Sequence, residues 1–122
     1  MRERRLGFRV PLEVMMTSYV RDRPVRALTY DVSDAGIGVS AISMLAPSPG
    51  MIMSLELELP GVADSIWAKG EVCYQERGDI ATGLGIRFLA MATQHARTVR
   101  DYCVEARRRH LGGLLSRIHG VS

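Results

Sequence analysis

Six segments of the chain have the β-branched, apolar or alternating composition of strands, and short turns separate them. Strands spaced about 8–12 residues apart, with Pro, Gly, Asp and Ser between them, are typical of an antiparallel barrel or sandwich. We expect a single domain, because 122 residues leave no room for a second independent core. The predicted strands are 10–20, 25–32, 37–43, 51–59, 65–76 and 80–89.

Three of these segments alternate between apolar and other residues, as a strand with one buried face does. In 51–59, the side chains of Leu55, Leu57 and Leu59 share one face, and the residues between them are Glu56 and Glu58. In 80–89, Gly83 and Gly85 fall opposite the apolar face. The inward positions predicted for the last two strands are Ile66, Ala68, Val72, Tyr74, Ile80, Leu84, Ile86 and Phe88.

From Thr93 onward the pattern changes to helical spacing. Thr93 is a suitable helix cap, and Val99, Cys103 and Ala106 recur at intervals of three or four residues with charged residues between them. We predict that the pair Gly112-Gly113 ends this helix, since glycine is a poor helix former.

The basic residues are unusual in type and in placement. All but Lys69 of the 16 are Arg, whose planar five-donor fork suits phosphates and guanine edges. Residues 1–30 carry a net charge of +4, residues 31–90 carry −5 and residues 91–122 carry +4. This distribution favours local anion sites over one continuous basic surface. A coding bias is an alternative explanation for the Arg count.

Several classes of protein are disfavoured by the sequence. Cys73 and Cys103 alone make no disulfide framework, no apolar run is long enough for a membrane span, and the N-terminus lacks the apolar stretch of a secretory signal. We therefore expect a cytoplasmic protein. The sequence contains no motif for a catalytic nucleophile or base, so we expect no catalytic residues and no enzyme activity. It also contains no metal-binding motif, and the histidines form no compact ligand set, so we expect no bound metal.

Two short motifs combine residue types that suit guanine and phosphate. The first consists of three arginines before the first predicted strand, Arg4, Arg5 and Arg9. In the second, Asp31 offers a carboxylate to an Arg or to guanine N–H groups, Ser33 offers a hydroxyl, and Gly36 lets backbone amides approach an anion. Taken separately, a solvated basic tail and an ordinary turn would also explain them.

In this order the motifs resemble the two signatures of the PilZ domain family, bacterial receptors for cyclic di-GMP. RRxxxR is matched by Arg4, Arg5 and Arg9, and (D/N)xSxxG by Asp31, Ser33 and Gly36. The similarity continues downstream and covers about residues 2–90. It implies a mainly β fold, a six-stranded antiparallel barrel of split type with a C-terminal α-helix. The predicted parts are a flexible Arg-rich arm at 1–10, the barrel at 11–90, and the helix and tail at 91–122.

The resemblance also implies a binding site for cyclic di-GMP, with no other cofactor. The arm would fold over a ligand held against the strand-turn of Asp31–Gly38, with its arginines on guanine and phosphate. Arg4, directly before the RxxxR signature, favours two intercalated ligands. Tyr74 stands where many members carry Trp, and Trp67 is a second candidate to flank the base. The predicted ligand residues are Arg4, Arg5, Arg9, Asp31, Ser33, Gly36, Gly38 and Tyr74.

The function expected from the resemblance is relay of the second messenger to an unknown effector protein that controls motility, polysaccharide export or transcription. A homodimer is left open. Two alternatives remain at this point. The basic ends, above all Arg107-Arg108-Arg109, could bind DNA or RNA, although a solvated helix C-terminus also explains that run. The chain could also be a ligand-independent PilZ adaptor.

Overall fold

The structure, a computed structural model, describes residues 8–119, and their side chains through residue 114. These residues form seven strands, a 3-10 helix at Ser43–Leu45 and one long α-helix, α1, at Thr93–His119. The strands are β1 (Val10–Pro11), β2 (Met15–Val20), β3 (Arg23–Val32), β4 (Gly36–Ile42), β5 (Ile52–Leu57), β6 (Ile66–Glu76) and β7 (Ala81–Met91).

Six strands close into an antiparallel barrel. Their order is β3, β2, β5, β6, β7, β4, and β4 pairs with β3 to complete the ring. The predicted mainly β fold, a six-stranded barrel with a C-terminal helix, is therefore confirmed, and the sandwich is not formed. β1 is an additional strand that pairs antiparallel with the end of β3, Val10 opposite Val32 and Pro11 opposite Asp31.

The segment predicted as one strand at 10–20 is two strands, because one extra residue between β1 and β2 shifts their register against β3. The hydroxyl of Thr29, which is buried, donates to the carbonyl of Leu12 at 2.6 Å and accepts the amide of Val14 at 2.9 Å. These bonds bridge the irregular stretch between the two strands, so its backbone groups stay paired. Leu12 packs into the core, and β1 continues along β3.

Aliphatic side chains that point inward from the strands fill the barrel, and α1 adds Val99 and Cys103 to the same core. Leu55, Leu57 and Leu59 face inward, as the alternation predicts. The other buried apolar residues of this core are Val10, Leu12, Met16, Ala27, Val32, Ile37, Val39, Ala41, Met53, Ile66, Val72, Leu84 and Ile86.

Two residues predicted to face inward are instead exposed. Tyr74 is 51% exposed, because a register shift between Val72 and Tyr74 leaves Cys73 as an extra residue and reverses the alternation. Ile80 is 81% exposed, because it lies in the connection before β7 rather than in the strand. Both predictions were wrong for the same reason, since alternation predicts a face only where the ladder is regular.

The helix does not end at Gly112-Gly113, as predicted, but continues through both glycines to His119. Neither glycine has the positive φ of a glycine helix cap, a conformation that Gly50 and Gly61 do adopt. Glycine weakens a helix interior by about 1 kcal/mol per residue without breaking it. Among the described residues, no helix is long and apolar enough to cross a membrane.

The two thiols differ in environment, and we expect them to differ in reactivity. Cys73 is exposed, whereas Cys103 is fully buried, and burial raises the pKa of its thiol to about 11. Because the thiolate is the reactive form, a disulfide reagent such as Ellman's reagent should label one thiol rapidly in the native protein and the second only in denaturant. The variant Cys73→Ser should lose the rapid phase. Two rapid equivalents in the native protein would contradict the packing of α1.

Candidate functional site

A β-bulge at the end of β3 brings two polar side chains to the outer face of the barrel. The pairing of β3 with β4 shifts register between Thr29 and Asp31, so Tyr30 is an extra residue. Thr29 and Val32 remain buried on either side of the bulge. Tyr30 and Asp31 therefore both project outward, which a regular strand does not allow for consecutive residues.

Asp31 begins an in-register row that crosses four strands. It pairs with Gly38 of β4, Gly38 pairs with Gly85 of β7, and Gly85 pairs with Tyr74 of β6. The row therefore has a carboxylate at one end, a phenol at the other and two glycines in the middle. We call these four residues the site row.

The two glycines of the site row form a floor on which two tyrosine rings lie. A Cβ atom on Gly38 would stand 2.5 Å from the ring of Tyr30 and 2.6 Å from Oδ1 of Asp31, and a Cβ on Gly85 would collide with the ring of Tyr74. The two phenol oxygens approach each other at 3.5 Å. The rings of Tyr30 and Tyr74 thus cover the two glycines, with their hydroxyl groups next to each other, and we call this pair the tyrosine platform.

The hydroxyl of Tyr30 stays protonated at neutral pH. Partial burial, together with the hydrogen bond to Tyr74 and the charge of Asp31, raises the pKa of Tyr30 to about 12, and the charge of Arg9 opposes this shift. The Tyr30 phenol therefore remains a neutral hydrogen-bonding group beside Asp31, and 41% of Tyr30 is exposed to solvent.

Arg9 completes the charged end of the site. Its Nη1 donates to Oδ1 of Asp31 at 2.8 Å, and the side chains are 45% and 24% exposed. β1 fixes this geometry, because Arg9 directly precedes Val10 and β1 lies along β3 beside Asp31. Arg4 and Arg5, the other arginines of the predicted arm, lie outside the described residues.

Trp67, the second candidate to flank a base, lies elsewhere on the barrel. Its ring stacks on Tyr19, with centroids 5.8 Å apart and planes at 23°. Its backbone amide donates to Nδ1 of His95 in α1 at 3.2 Å. Trp67 precedes Tyr74 by seven positions in β6, about 23 Å of extended chain. The structure therefore brings Tyr74, and not Trp67, together with Asp31 and Gly38.

This arrangement is suited to a flat heterocycle that carries an anion. A guanidinium can bind phosphate or a guanine edge, a carboxylate can accept N–H groups, and exposed aromatic rings can stack on a base. Among the described residues, the guanidinium, the carboxylate and the aromatic rings lie on the same face of the barrel, in the site row or next to it.

A family model describing the PilZ domain matches residues 3–105, which include every residue of the site row. The chain belongs to the PilZ family. No curated protein sequence matches it.

Solved structures of PilZ proteins share the fold. An inhibitor of motility from Bacillus subtilis, MotI/DgrA, superimposes with a TM-score of 0.75 at 20% identity, covering 91% of this chain and 53% of that one. Escherichia coli YcgR, solved in complex with c-di-GMP, gives 0.72 at 16% identity, covering 98% and 51%. The PilZ domain of YcgR with c-di-GMP gives 0.68 at 16% identity, covering 93% and 98%. The chain thus spans about half the length of MotI/DgrA and of YcgR.

In this PilZ chain the second motif builds the turn between β3 and β4. The Ser33 hydroxyl accepts the amides of Ala35 and Gly36 at 3.1 and 3.2 Å, and the Ser33 amide donates to the carbonyl of Gly36 at 2.9 Å. Ser33 is buried, and its hydroxyl is engaged in the turn. The geometry therefore assigns Ser33 and Gly36 first to the turn that presents Asp31 and Gly38, and direct contact of Ser33 with a ligand stays a prediction.

Tyr30 and Gly85 are residues of the site that sequence reasoning missed. Strict alternation places Tyr30 on the outer face, but nothing in the sequence indicates that Asp31 shares that face. A signal was available in Gly38 and Gly85, since glycines inside strands mark bulges or the close approach of another group. The groups that approach these glycines are the rings of Tyr30 and Tyr74.

Proposed function

We propose that this PilZ chain is a receptor for cyclic di-GMP. The observation that carries the proposal is the ion pair between Arg9 and Asp31, one residue from each family motif, at the end of the site row. Support comes from the family match and from the shared fold with YcgR, which was solved in complex with c-di-GMP.

In the proposed complex, Arg9 turns from Asp31 towards the ligand and binds a phosphate or the O6/N7 edge of guanine. The carboxylate of Asp31 accepts hydrogen bonds from the N1 and N2 groups of a guanine. Tyr74 offers its exposed ring for stacking on a base. Arg4 and Arg5 add further guanine or phosphate contacts, Gly36 shapes the turn that presents Asp31, and Gly38 leaves room for the Asp31 carboxylate and the Tyr30 ring.

Relay to an effector protein is part of the same proposal. The ligand orders the arm against the barrel, and the bound guanines together with the arm create a surface that a partner recognises. Ligand binding at the arm then controls the partner only through this newly formed surface. We further propose that the ligand binds as an intercalated dimer, with Arg4 contributing to the second molecule.

A calorimetric titration with cyclic di-GMP tests the proposal. We expect saturable binding with two ligand molecules per chain, and no binding of GMP or cyclic di-AMP at the same concentrations. Saturable binding of one molecule per chain would contradict the role given to Arg4 and leave the receptor function supported. If the titration with cyclic di-GMP gives no heat of binding, the receptor function itself is contradicted.

Direct binding of DNA or RNA is disfavoured by the partners of the basic run. The side chains of Arg108 and Arg109 pair with Glu105 at 2.9 and 3.8 Å, and Arg107 lies over the ring of Phe8. Salt distinguishes the two functions, because nucleic-acid binding falls steeply with ionic strength and would tolerate loss of Asp31.

The tyrosine platform gives a prediction of its own. Tyr74→Ala should weaken cyclic di-GMP binding about fivefold or more, since stacking of a base on an aromatic ring contributes about 1 kcal/mol or above. Tyr74→Phe should bind within about twofold of wild type, because the ring is retained. Trp67→Ala is the matched control and should leave affinity unchanged. A larger loss from Trp67→Ala than from Tyr74→Ala, measured by calorimetry, would place the base elsewhere.

A further inference from the structure

The three consecutive arginines of α1 do not share one environment. Arg108 and Arg109 both pair with Glu105, one turn back on the same helix. The guanidinium carbon of Arg107 instead lies 4.6 Å from the centroid of the Phe8 ring, in a cation–π contact between α1 and the segment before β1. Arg107 is therefore the arginine of this run that reaches outside its own helix.

Phe8 directly precedes Arg9, so contacts of the Phe8 side chain affect the backbone that carries Arg9. The Phe8 side chain is partly buried against the barrel core. The helix α1 also contacts β3, where the buried thiol of Cys103 donates a hydrogen bond to the carbonyl of Val32 at 3.8 Å. Val32 in turn pairs with Val10 of β1. The helix, β1 and the end of β3 thus form one packed unit, and Arg9 emerges from it towards Asp31.

We propose that Arg107 is a positioning residue for the ligand, an inference that rests on the proposed cyclic di-GMP function. Its stack on Phe8 holds the backbone before β1, so the Arg9 side chain starts from the geometry in which it meets Asp31. Without the stack, this backbone has to be ordered when ligand binds, and that ordering costs conformational entropy. By linkage, a partner that shifts α1 changes ligand affinity, and ligand changes the affinity for that partner by the same factor.

The test compares Arg107→Ala with Arg108→Ala, which removes the same charge from the same helix but leaves Phe8 covered. Calorimetry should give about twofold to fivefold weaker cyclic di-GMP binding for Arg107→Ala and wild-type affinity for Arg108→Ala. Arg107→Lys should recover part of the loss, because a cation remains but the planar stack does not. After Phe8→Leu, Arg107→Ala should cause no further loss.

Amide exchange in the absence of ligand separates this inference from the receptor function. The amides of Arg9 and Val10 should exchange faster in Arg107→Ala than in Arg108→Ala. If wild-type protein binds cyclic di-GMP but the two variants bind equally well, Arg107 has no positioning role and the receptor function stands. Tighter binding by Arg107→Ala would also overturn the inference. If wild-type protein does not bind, the proposed function fails first.

Discussion

Replacing Asp31 with alanine is expected to weaken cyclic di-GMP binding tenfold or more, about 1.4 kcal/mol or above. The variant removes a carboxylate that accepts guanine N–H groups, and hydrogen bonds to a charged acceptor are about twice as strong as neutral ones. It also removes the partner that holds Arg9 at 2.8 Å beside the site row. Arg9→Ala should cause a loss of similar size from the other side of the pair.

The effect should appear in binding rather than in folding. Exposed ion pairs contribute about 0–1 kcal/mol to stability, so Asp31→Ala should remain folded with a nearly unchanged melting temperature. Glu56→Gln is the matched control, since Glu56 is a carboxylate of β5 that accepts a hydrogen bond from Tyr19 at 3.3 Å. Calorimetry that gives wild-type affinity for both Asp31→Ala and Arg9→Ala would remove the basis for the proposed site.

Gly38→Ala should weaken binding through the shape of the site rather than its charge. The new methyl group would stand 2.5 Å from the ring of Tyr30 and 2.6 Å from Oδ1 of Asp31, so both side chains have to move. We expect at least tenfold weaker cyclic di-GMP binding, about 1.4 kcal/mol or above. Both side chains are partly exposed and can move outward, so the free energy of unfolding should fall by less than the roughly 1–3 kcal/mol of an overpacked core.

Gly83→Ala provides the control for a glycine on the same sheet. The atom nearest to its new methyl group is 3.8 Å away, which is ordinary contact. Binding and melting temperature should stay close to wild type. Equal affinity of the two variants, measured side by side with their unfolding transitions, would show that the floor beneath Tyr30 and Asp31 does not shape the site.

The elements of the barrel could be predicted because each rests on local pattern. Alternation of apolar and polar residues identified β5, and the change to helical spacing identified α1, in which Thr93 is the first helical residue rather than the cap before it. The family motifs singled out Arg9 and Asp31, and the structure pairs them. These features depend on residue type and spacing, which the sequence states directly.

What could not be predicted depends on contacts between distant strands. The bulges at Tyr30 and Cys73 arise where neighbouring strands differ in residue count, and they decide that Asp31 and Tyr74 face outward. The break between β1 and β2 is bridged by the hydroxyl of Thr29, 17 residues from Leu12. A local sequence pattern does not predict which residues of distant strands will pair.

The end of α1 is a second feature that local sequence propensity did not predict. Local propensity favoured a stop at Gly112-Gly113, and the basic run at 107–109 was therefore interpreted as a solvated helix end. Because α1 continues to His119, that run lies within the helix, where Glu105 and Phe8 give its members different partners.

A titration of labelled protein with cyclic di-GMP, followed by two-dimensional NMR of the backbone amides, tests the central claim most directly. The proposed site predicts saturable shifts at Arg9, Asp31, Gly38, Tyr74 and Gly85. The amides of Tyr19 and Trp67, whose rings stack, should not shift, and neither should those of Arg21 and Asp22, which form the turn between β2 and β3. Saturable shifts confined to α1 or to the region of Trp67, or no shifts at saturating ligand, would contradict the proposed site.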